Sequence, residues 1–539
     1  MSKLFERLLA ARHLDQSFLH PNYEDSIDPY TLYDMDKAVE RIKRAIDAEE
    51  QILIYGDYDA DGVTASTVME QALTLAGVKP ANIQIMLPDR FADGYGMSPK
   101  LIQRATEEGI TLVITVDCGS RNHAIIDELN EHKIDTIVTD HHETDERMPE
   151  AVAVINPHRK DHHTAELDNL AGVGVAFKLA QALVQAGHIP AGQEKWLLDL
   201  VLIGTICDSM LLTGENRRLG FFGLKVLAKT RRPGLKELMT RAGVKNLNTE
   251  SIGFQIGPRL NAAGRLESAD ISLNLLRARD QISAAPLADK LEQLNKKRKT
   301  EQISATHEIE NRGFVDAPVI IETGAWHEGI LGIVAGRLVE QYHKPAFVLT
   351  ETTRGIYKGS GRSFGDFNLA DALNYAKDSI IGGGGHAAAA GVKVEQKNLY
   401  KFREQINAYY ESLHLDNQER YFRQRADLDV DDFSDFTQDL LDELKTLEPY
   451  GAGNEEPIFR LRNVQILNVT RMGADRNHLR LDLRDNSGKQ LKCIAFYAPE
   501  AWLNLDVSDR IEPLVQLIEN EWNGIKSVEA RLLDLDFLQ

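Results

Sequence analysis

Three aspartates alternate along Asp57-Tyr58-Asp59-Ala60-Asp61-Gly62, directly after the apolar run QILIYG. Asp117 follows TLVITV, the triplet Asp140-His141-His142 follows DTIVT, and Asp208 follows LIGTIC. Each segment stands at the end of a hydrophobic run that reads as a buried strand, and ligands of open α/β sheets gather at the carboxyl ends of strands. With the first three runs as neighbouring parallel strands, their carboxylates and imidazoles converge on one small volume. That many acidic groups share a crevice in ionised form only when a cation neutralises them. Oxygen donors with one or two imidazoles suit Mn²⁺ or Mg²⁺ better than a thiolate-seeking metal. Two such ions a few ångströms apart make a hydrolytic site for phosphoesters.

Each segment also has a plainer reading. Asp57–Gly62 alone is an acidic turn cornered on Gly62, and Asp117 or Asp140 can cap a following helix, the first beginning near Asn122. A His-His pair at a sheet edge resists that reading, since two imidazoles there can ligate a metal and also face a substrate. The run VLIGTICDSM, which ends in Asp208, reads as helix as readily as strand. Only their company makes Asp57, Asp59, Asp61, Asp117, Asp140, His141, His142 and Asp208 one catalytic set.

Other segments offer contacts for an anionic polymer. Gly382-Gly383-Gly384-Gly385-His386 reads as a bare loop that lets a phosphate or sugar edge approach, with Gly384 and His386 as candidate contacts. Lys358-Gly359-Ser360-Gly361-Arg362-Ser363 supplies hydroxyls, amides and a guanidinium suited to phosphate, or else a hairpin turn with a solvated arginine. Gly257–Arg265 reads as a glycine-punctuated loop that carries Arg259 and Arg265. Arg90–Gly96 supplies Arg90 for a phosphate and Tyr95 for stacking. The Lys296–Lys299 run is as consistent with a solvated helix face as with a phosphate backbone, and the acidic tract Asp427–Asp435 reads as solvated surface.

The elements needed to hold these groups are visible in the patterning. A chain of 539 residues is too long for one core and calls for three or four domains. The runs QILIYG, NIQIML, TLVITV, IDTIVT and AVAVIN alternate with helical spacing, which argues for a parallel sheet covered on both faces. Pro286 can open a long polar helix that stops near Gly313 and bridges domains. A second α/β block follows, with APVIIET and KPAFVLT as strands. From about residue 420 the segments NVQILNVTRM, HLRLDLRDN and KQLKCIAFY alternate as a small antiparallel barrel does. The expected partition is a helical lead-in over 1–48, a catalytic domain over 49–285, a connecting helix over 286–314, an α/β domain over 315–415 and a barrel over 416–539.

Composition narrows the setting. The net charge of −20 speaks against a uniformly basic nucleic-acid binder, yet counterion release needs only a local basic surface. Three scattered cysteines indicate a reducing compartment, and no stretch approaches the length of a spanning helix or a signal-peptide core. A cytoplasmic protein without membrane association is expected.

The motifs DYDADG, TVDCGS, TDHH and CDSM resemble, in order, the four motifs of the DHH (Asp-His-His) phosphoesterase superfamily. GGGGH lies in what resembles its DHH-associated domain, and GPRLNAAGR, WHEGILGIVAGRL, KGSGRS and LEPYGAGNEEPIF resemble the RecJ branch. The resemblance covers about residues 45–539. It implies an exonuclease that degrades single-stranded DNA 5′→3′ in repair and recombination, using two Mn²⁺ or Mg²⁺ ions to hydrolyse the phosphodiester. It further implies Asp59, Asp61, Asp117, His141 and Asp208 as metal ligands, with Asp57, Asp140 and His142 beside them. Arg265, Arg362 and His386 become phosphate or DNA contacts, and Arg259, Arg265 and Ser360–Ser363 the pocket for a terminal phosphate. The tail becomes an oligonucleotide-binding (OB) barrel, and the long helix ties the two catalytic domains into a ring. A monomer is expected, with a single-stranded-DNA-binding protein and a helicase as partners. Two alternatives stand beside it. One is a DHH phosphodiesterase acting on short oligoribonucleotides or nucleotide phosphates; the other is a non-catalytic single-strand-binding scaffold, against which the intact acidic ligands argue.

Overall fold

The five apolar runs of the first catalytic half form a wholly parallel sheet. Its strands are β1 (Ile52–Tyr55), β2 (Ile83–Met86), β3 (Leu112–Val116), β4 (Asp135–Thr139) and β5 (Ala153–Ile155), in the order β2-β1-β3-β4-β5. β1 and β3 are buried along their whole length, which is why their sequences are continuous apolar runs rather than alternating ones. The chain leaves β1 to one side for β2 and then crosses to the other for β3, so a topological switch point lies between β1 and β3. Such a point opens a crevice at the strand ends. The computed structural model describes residues 1–94, 96–313, 317–415, 418–421, 424–473, 476–522 and 524–537. Within them no helix is long and apolar enough to cross a membrane.

From the end of β1 the chain enters the helix Ala60–Leu75, rich in Ala, Gly, Ser and Thr, which packs against the helices Gly172–Gln185 and Leu198–Cys207. Asp208 therefore ends a helix, not a strand. The Gly257–Arg265 segment is likewise no loop but the helix Gly257–Leu266, entered through one π-helical turn. Its glycines serve close approach rather than turning. A methyl group on Gly257 would lie 2.4 Å from Cys207 Sγ, and one on Gly264 would lie 2.6 Å from the Tyr58 carbonyl oxygen.

The long helix runs from Gln281 to Arg312, so Pro286 lies inside it rather than at its start. Asp280 caps it by accepting from the Ser283 amide at 2.8 Å. It is not uniformly polar. Ala284, Ala288, Leu291, Leu294, Asn295, Arg298, Ala305 and Ile309 are buried at helical spacing, a narrow stripe seated against neighbouring helices.

The second sheet holds β6 (Ile320–Gly324), β7 (Ala346–Thr353), β8 (Ile356–Arg362), β9 (Gly382–Gly385) and β10 (Ala389–Glu395), in the order β6-β7-β8-β10-β9. Only β6 and β7 pair in parallel. Both glycine-rich segments expected as loops or turns are strands here. Gly359 and Gly361 of β8 leave room for Leu349 and Phe347, whose atoms would stand 2.5 and 2.6 Å from an added methyl. Gly382–Gly385 is an edge strand, ending at Gly385 with φ +150°, where a side chain would strike the Ala389 carbonyl.

A separate unit gathers Met1–Ser26, Leu211–Phe221 and Phe422–Gln539. Its strands are β11 (Leu428–Val430), β12 (Phe459–Leu461), β13 (Val464–Met472), β14 (His478–Arg484), β15 (Gln490–Ala495), β16 (Arg510–Trp522) and β17 (Ile525–Phe537). β16, β13, β14, β15 and β17 pair in turn and β17 pairs back onto β16, closing a five-stranded OB-type barrel. The N-terminal lead-in is not independent. Leu4, Phe5, Leu8 and Leu9 of the helix Lys3–Ala11 share one core with Phe459 and Leu461 of β12 and with the barrel residue Leu479. Nor is the acidic tract wholly solvated, because Asp427 binds the Arg12 guanidinium through both carboxylate oxygens at 2.6 and 2.8 Å.

This shared core is testable. Leu8 is fully buried, so Leu8→Ala should destabilise the barrel unit by about 2–5 kcal/mol. Chemical denaturation followed by barrel tryptophan fluorescence measures it; an unchanged midpoint would show that the lead-in merely rests on the surface.

Candidate active site

Asp57, Asp59 and Asp61 leave β1 and enter the helix Ala60–Leu75. Asp59 is its N-cap and accepts from the Asp61 and Gly62 amides at 2.9 and 3.1 Å. Asp61 points across to the start of the helix Gly172–Gln185, accepting from the Gly172 and Val173 amides at 2.7 and 3.0 Å. Those are orphan helix-terminal donors, a natural seat for a carboxylate. Asp117, one residue past β3, holds the left-handed conformation at φ +62°. Such a conformation is tolerated by aspartate more than by most residues. Gly172 is required opposite it, since a methyl there would lie 2.5 Å from the Asp117 side chain.

The triplet after β4 divides its labour. Asp140 is buried and accepts from the Ser120, His141 and His142 amides at 3.0, 2.8 and 3.1 Å. It also holds His142 Nδ1 at 2.8 Å. His141 Nε2 faces inward, 3.1 Å from Asp117, 3.6 Å from Asp208 and 3.9 Å from Asp61. Two residues that the sequence reading passed over complete the frame: Asn156 donates to Ser120 Oγ at 2.8 Å and to the His142 carbonyl at 2.9 Å. Asn156 sits directly after the fifth apolar run, AVAVIN, so its position at a strand end was the available signal.

Three donor sets converge: Asp57 with Asp59 and Asp117; Asp61 with His141 and Asp208; Asp117 with His141 and His142. Within each, one donor atom per residue lies within 4.8 Å of the others. Asp57 Oδ1, Asp117 Oδ1 and His141 Nε2 are buried with no hydrogen-bond partner. Native proteins seldom leave such atoms unsatisfied, and a donor set of carboxylate oxygens and imidazole is what a divalent cation of the Mn²⁺ or Mg²⁺ kind takes.

The electrostatics agree. Burial, reinforced by neighbouring carboxylates, pushes Asp57, Asp61 and Asp117 well above the usual carboxylate range. Asp208 rises to about 7, by burial first and then by Asp59. The two imidazoles part company. Burial and the adjacent His142 pull His141 down to about 3, so it is a neutral lone-pair donor. His142, despite its burial, is raised to about 9 by Asp140 and the nearby carboxylates.

Facing this cluster is a concentration of guanidiniums. Arg90 stacks 4.8 Å over the Tyr58 ring. Arg265 donates to the Gly329 carbonyl at 3.3 Å, across from the second sheet, and Gly329 can only be glycine because a methyl would meet the Arg265 carbonyl. Burial, then Arg90, Arg298 and Arg362, pull Arg265 down to about 9, a measure of the local positive field. Arg362 Nη1 reaches Ser360 Oγ at 3.2 Å, beside Gly332, whose missing side chain leaves space for both. His327 packs edge-on to Phe91, with ring centroids 5.3 Å apart; neither ring was singled out in the sequence.

Other expected contacts are placed differently. Arg259 is buried and held by Glu292 at 2.6 Å and by the Gln255 carbonyl. Ser363 Oγ bonds the Phe367 carbonyl within its own turn. Gly384 lies on the exposed edge strand; beyond it His386 is near enough to Glu143 of the first domain to join Lys160, the main cause, and His158 in lowering its pKa. Tyr95 lies outside the described residues.

A parallel sheet whose strand ends gather carboxylates and a His-His pair, joined to a second α/β layer, defines a phosphoesterase of the DHH class. Models of the DHH family N-terminal domain, the DHHA1 domain and the RecJ OB domain match residues 51–205, 316–412 and 427–534. The single-stranded-DNA-specific exonuclease RecJ of Bacillus subtilis is 36% identical over 99% of this chain and 68% of its own. Its namesake from Haemophilus influenzae is 32% identical over 98% of this chain and 95% of its own. The crystal structure of RecJ in complex with Mn²⁺ from Thermus thermophilus superposes with a TM-score of 0.82, at 28% identity, over 99% of this chain and 78% of that one. A structure of the same protein with Mg²⁺ gives 0.79. The chain belongs to the RecJ family.

The raised carboxylates carry a pH signature. A group whose pKa is higher in the folded state binds more protons there than when unfolded, so its stability is present at low pH and lost as pH rises through the folded value. Thermal unfolding of the metal-free protein should therefore weaken between about pH 4 and about pH 7. Saturating Mn²⁺ should remove the decline, and Asp208→Asn should lessen it. A metal-free unfolding temperature that is flat across that window, or an Asp208→Asn slope equal to wild type, would contradict the crowding of charge described above.

Proposed function

We propose that the protein is a metal-dependent exodeoxyribonuclease that degrades single-stranded DNA from the 5′ end, with two divalent ions held by Asp59, Asp61, Asp117, His141 and Asp208. The observation that carries the reading is the set of orphaned donor atoms on Asp57, Asp117 and His141, gathered at one switch point and faced by arginines. Membership of a family whose named relatives are single-stranded-DNA-specific exonucleases supports the substrate. The ions, when bound, neutralise the cluster and activate the attacking water.

The residues supply the remainder. Asp61 and Asp59 are fixed by helix-terminal amides, so their oxygens stay aimed at the crevice without rotamer freedom. His141, neutral, offers a lone pair; His142, held cationic against Asp140, can donate to a non-bridging oxygen of the scissile phosphate. Arg90, Arg265 and Arg362 form the anion pocket in which the terminal phosphate is seated, and Phe91 and Tyr58 offer faces to the bases. A passage walled by two domains admits one strand and excludes a duplex on steric grounds. The barrel is of the OB type, a fold that binds oligonucleotides. A single-stranded-DNA-binding protein and a helicase as partners, action as a monomer, and a cytoplasmic location belong to the same proposal and rest on the family resemblance.

The first test digests 5′- and 3′-labelled single strands and duplexes with Mn²⁺, Mg²⁺ or chelator. Asp59→Asn should abolish release of the 5′ label while thermal unfolding stays cooperative; a fully active variant refutes the metal assignment. Separately, Arg265→Ala and Arg362→Ala should each lower kcat/KM on 5′-phosphorylated single strands by roughly ten- to a hundredfold. The loss should be smaller on 5′-hydroxyl strands. Equal losses on both would move the terminal phosphate elsewhere.

A further inference from the structure

A second cavity, of about 670 Å³, opens in the same structural unit at the far end of the helix Ala60–Leu75. Asp61 lies in the first turn of that helix, with Asp59 as its N-cap, and Gln71 lines the cavity from its fourth, which at 1.5 Å per residue separates Gln71 from Asp61 by about 15 Å along the axis. Four arginines line the cavity (Arg231, Arg232, Arg277 and Arg279) against two carboxylates, Glu70 and Asp199. Arg232 is taken up by Asp199 at 3.1 Å and by Gln71 at 3.0 Å. Arg277 is taken up by both oxygens of Glu70, at 2.6 and 3.0 Å. Arg231 and Arg279 are left in surplus: both are exposed, and neither has a carboxylate partner among the described residues.

Two surplus guanidiniums in a concave wall mark an anion site in a chain whose net charge is −20. The charge is set against a flat ring, because the Arg231 guanidinium lies 3.6 Å from the Trp196 ring centroid. Pro80 and Pro233 add apolar surface, and the amides of Gln193 and Asn274 each offer a donor and an acceptor. The volume falls in the range of small-ligand sites, roughly 300–1,000 Å³. A nucleoside phosphate uses every one of these features: its base lies against the prolines and the Arg231 guanidinium stacked on the indole, its hydrogen-bonding edge meets the amides, and its phosphate pairs with Arg279 and the edge of Arg231. A simple sugar phosphate leaves the aromatic wall unused, and a free nucleoside leaves the arginines unused. We propose that this cavity is a nucleoside-phosphate-binding site distinct from the catalytic centre. It stands independently of the reading of that centre.

The test is isothermal titration of the full chain in chelator with dAMP, dGMP, dCMP and dTMP, against deoxyadenosine and inorganic phosphate. At least one nucleotide should bind saturably and quench indole fluorescence, with the quench lost in Trp196→Phe. The exposed pair Arg231→Ala/Arg279→Ala should weaken the binding that quenches the indole at least roughly tenfold, while in Arg265→Ala the nucleotide-induced quench persists. Inorganic phosphate binding as tightly as the nucleotide would remove the base from the site. Binding that survives the double substitution but is lost in Arg265→Ala would belong to the catalytic arginine cluster. Absence of binding at millimolar nucleotide would leave a solvated crevice braced by its two ion pairs. Any of these three results overturns the proposal.

Discussion

Mutual repulsion among buried carboxylates is the constraint around which the first domain is built. Asp57, Asp61 and Asp117 are each almost fully enclosed, and their charges act on one another. Enclosing ionised groups costs several kcal/mol apiece unless something opposes it. Part of the opposition is covalently present. Helix-terminal amides hold Asp61, and the Ser120, His141 and His142 amides hold Asp140. Those amides lack room for anything larger than a carboxylate, since Gly172 and Gly204 would each press a methyl to within 2.6 Å of Asp117 or Asp61. The small residues of the surrounding helices are thus the other side of the same constraint. They let backbone donors approach, and they leave the remaining negative charge for a divalent cation.

The second domain answers with opposite charge. An overall surplus of acidic residues coexists with a pocket where arginine depresses arginine. Both halves contribute: Arg90 and Arg265 from the first domain, Arg362 from β8 of the second. Their juxtaposition depends on glycines at Gly329 and Gly332 that let backbone and guanidinium pass at close range. The crevice thus has a carboxylate wall on one side and a guanidinium wall on the other. Net charge is uninformative about such a site because the field that matters decays within about 10 Å at moderate salt.

Much of this was legible in the residues. All five strands of the first sheet were marked by apolar runs, and their alternation with helices implied the parallel order that brings Asp57–Asp61, Asp117 and Asp140–His142 together. The errors share a cause. Glycine was read as a signal of loops in Gly257–Arg265 and Gly382–His386, and a hairpin turn was the alternative for Lys358–Ser363, yet these are a helix and two strands. In each, glycine relieves a contact made across the fold, such as Tyr58 against Gly264 or Phe347 against Gly361, and sequence-local rules do not contain that contact. The ion pair of Arg259 is of the same long-range kind, for Glu292, its partner on the long helix, lies 33 residues away. The N-terminal helix packs with strands more than 400 residues distant, a long-range pairing that only the folded chain displays.

The His141-His142 pair shows how far residue type alone leaves chemistry undetermined. Two adjacent imidazoles, identical in sequence terms, are driven apart by their surroundings, one to about 3 and the other to about 9. His141 is enclosed with its Nε2 unpartnered and with His142 beside it, so protonation would add a second cation to a desolvated volume. His142 has Asp140 locked against Nδ1, and Asp140 is itself fixed by three backbone amides, so the proton stays. Asn156 secures the arrangement by bonding both Ser120 and the His142 backbone. A lone-pair donor and a proton donor thus stand with ring centroids 4.3 Å apart. The backbone amides after β4, by fixing Asp140, are what keep the two imidazoles in these different states.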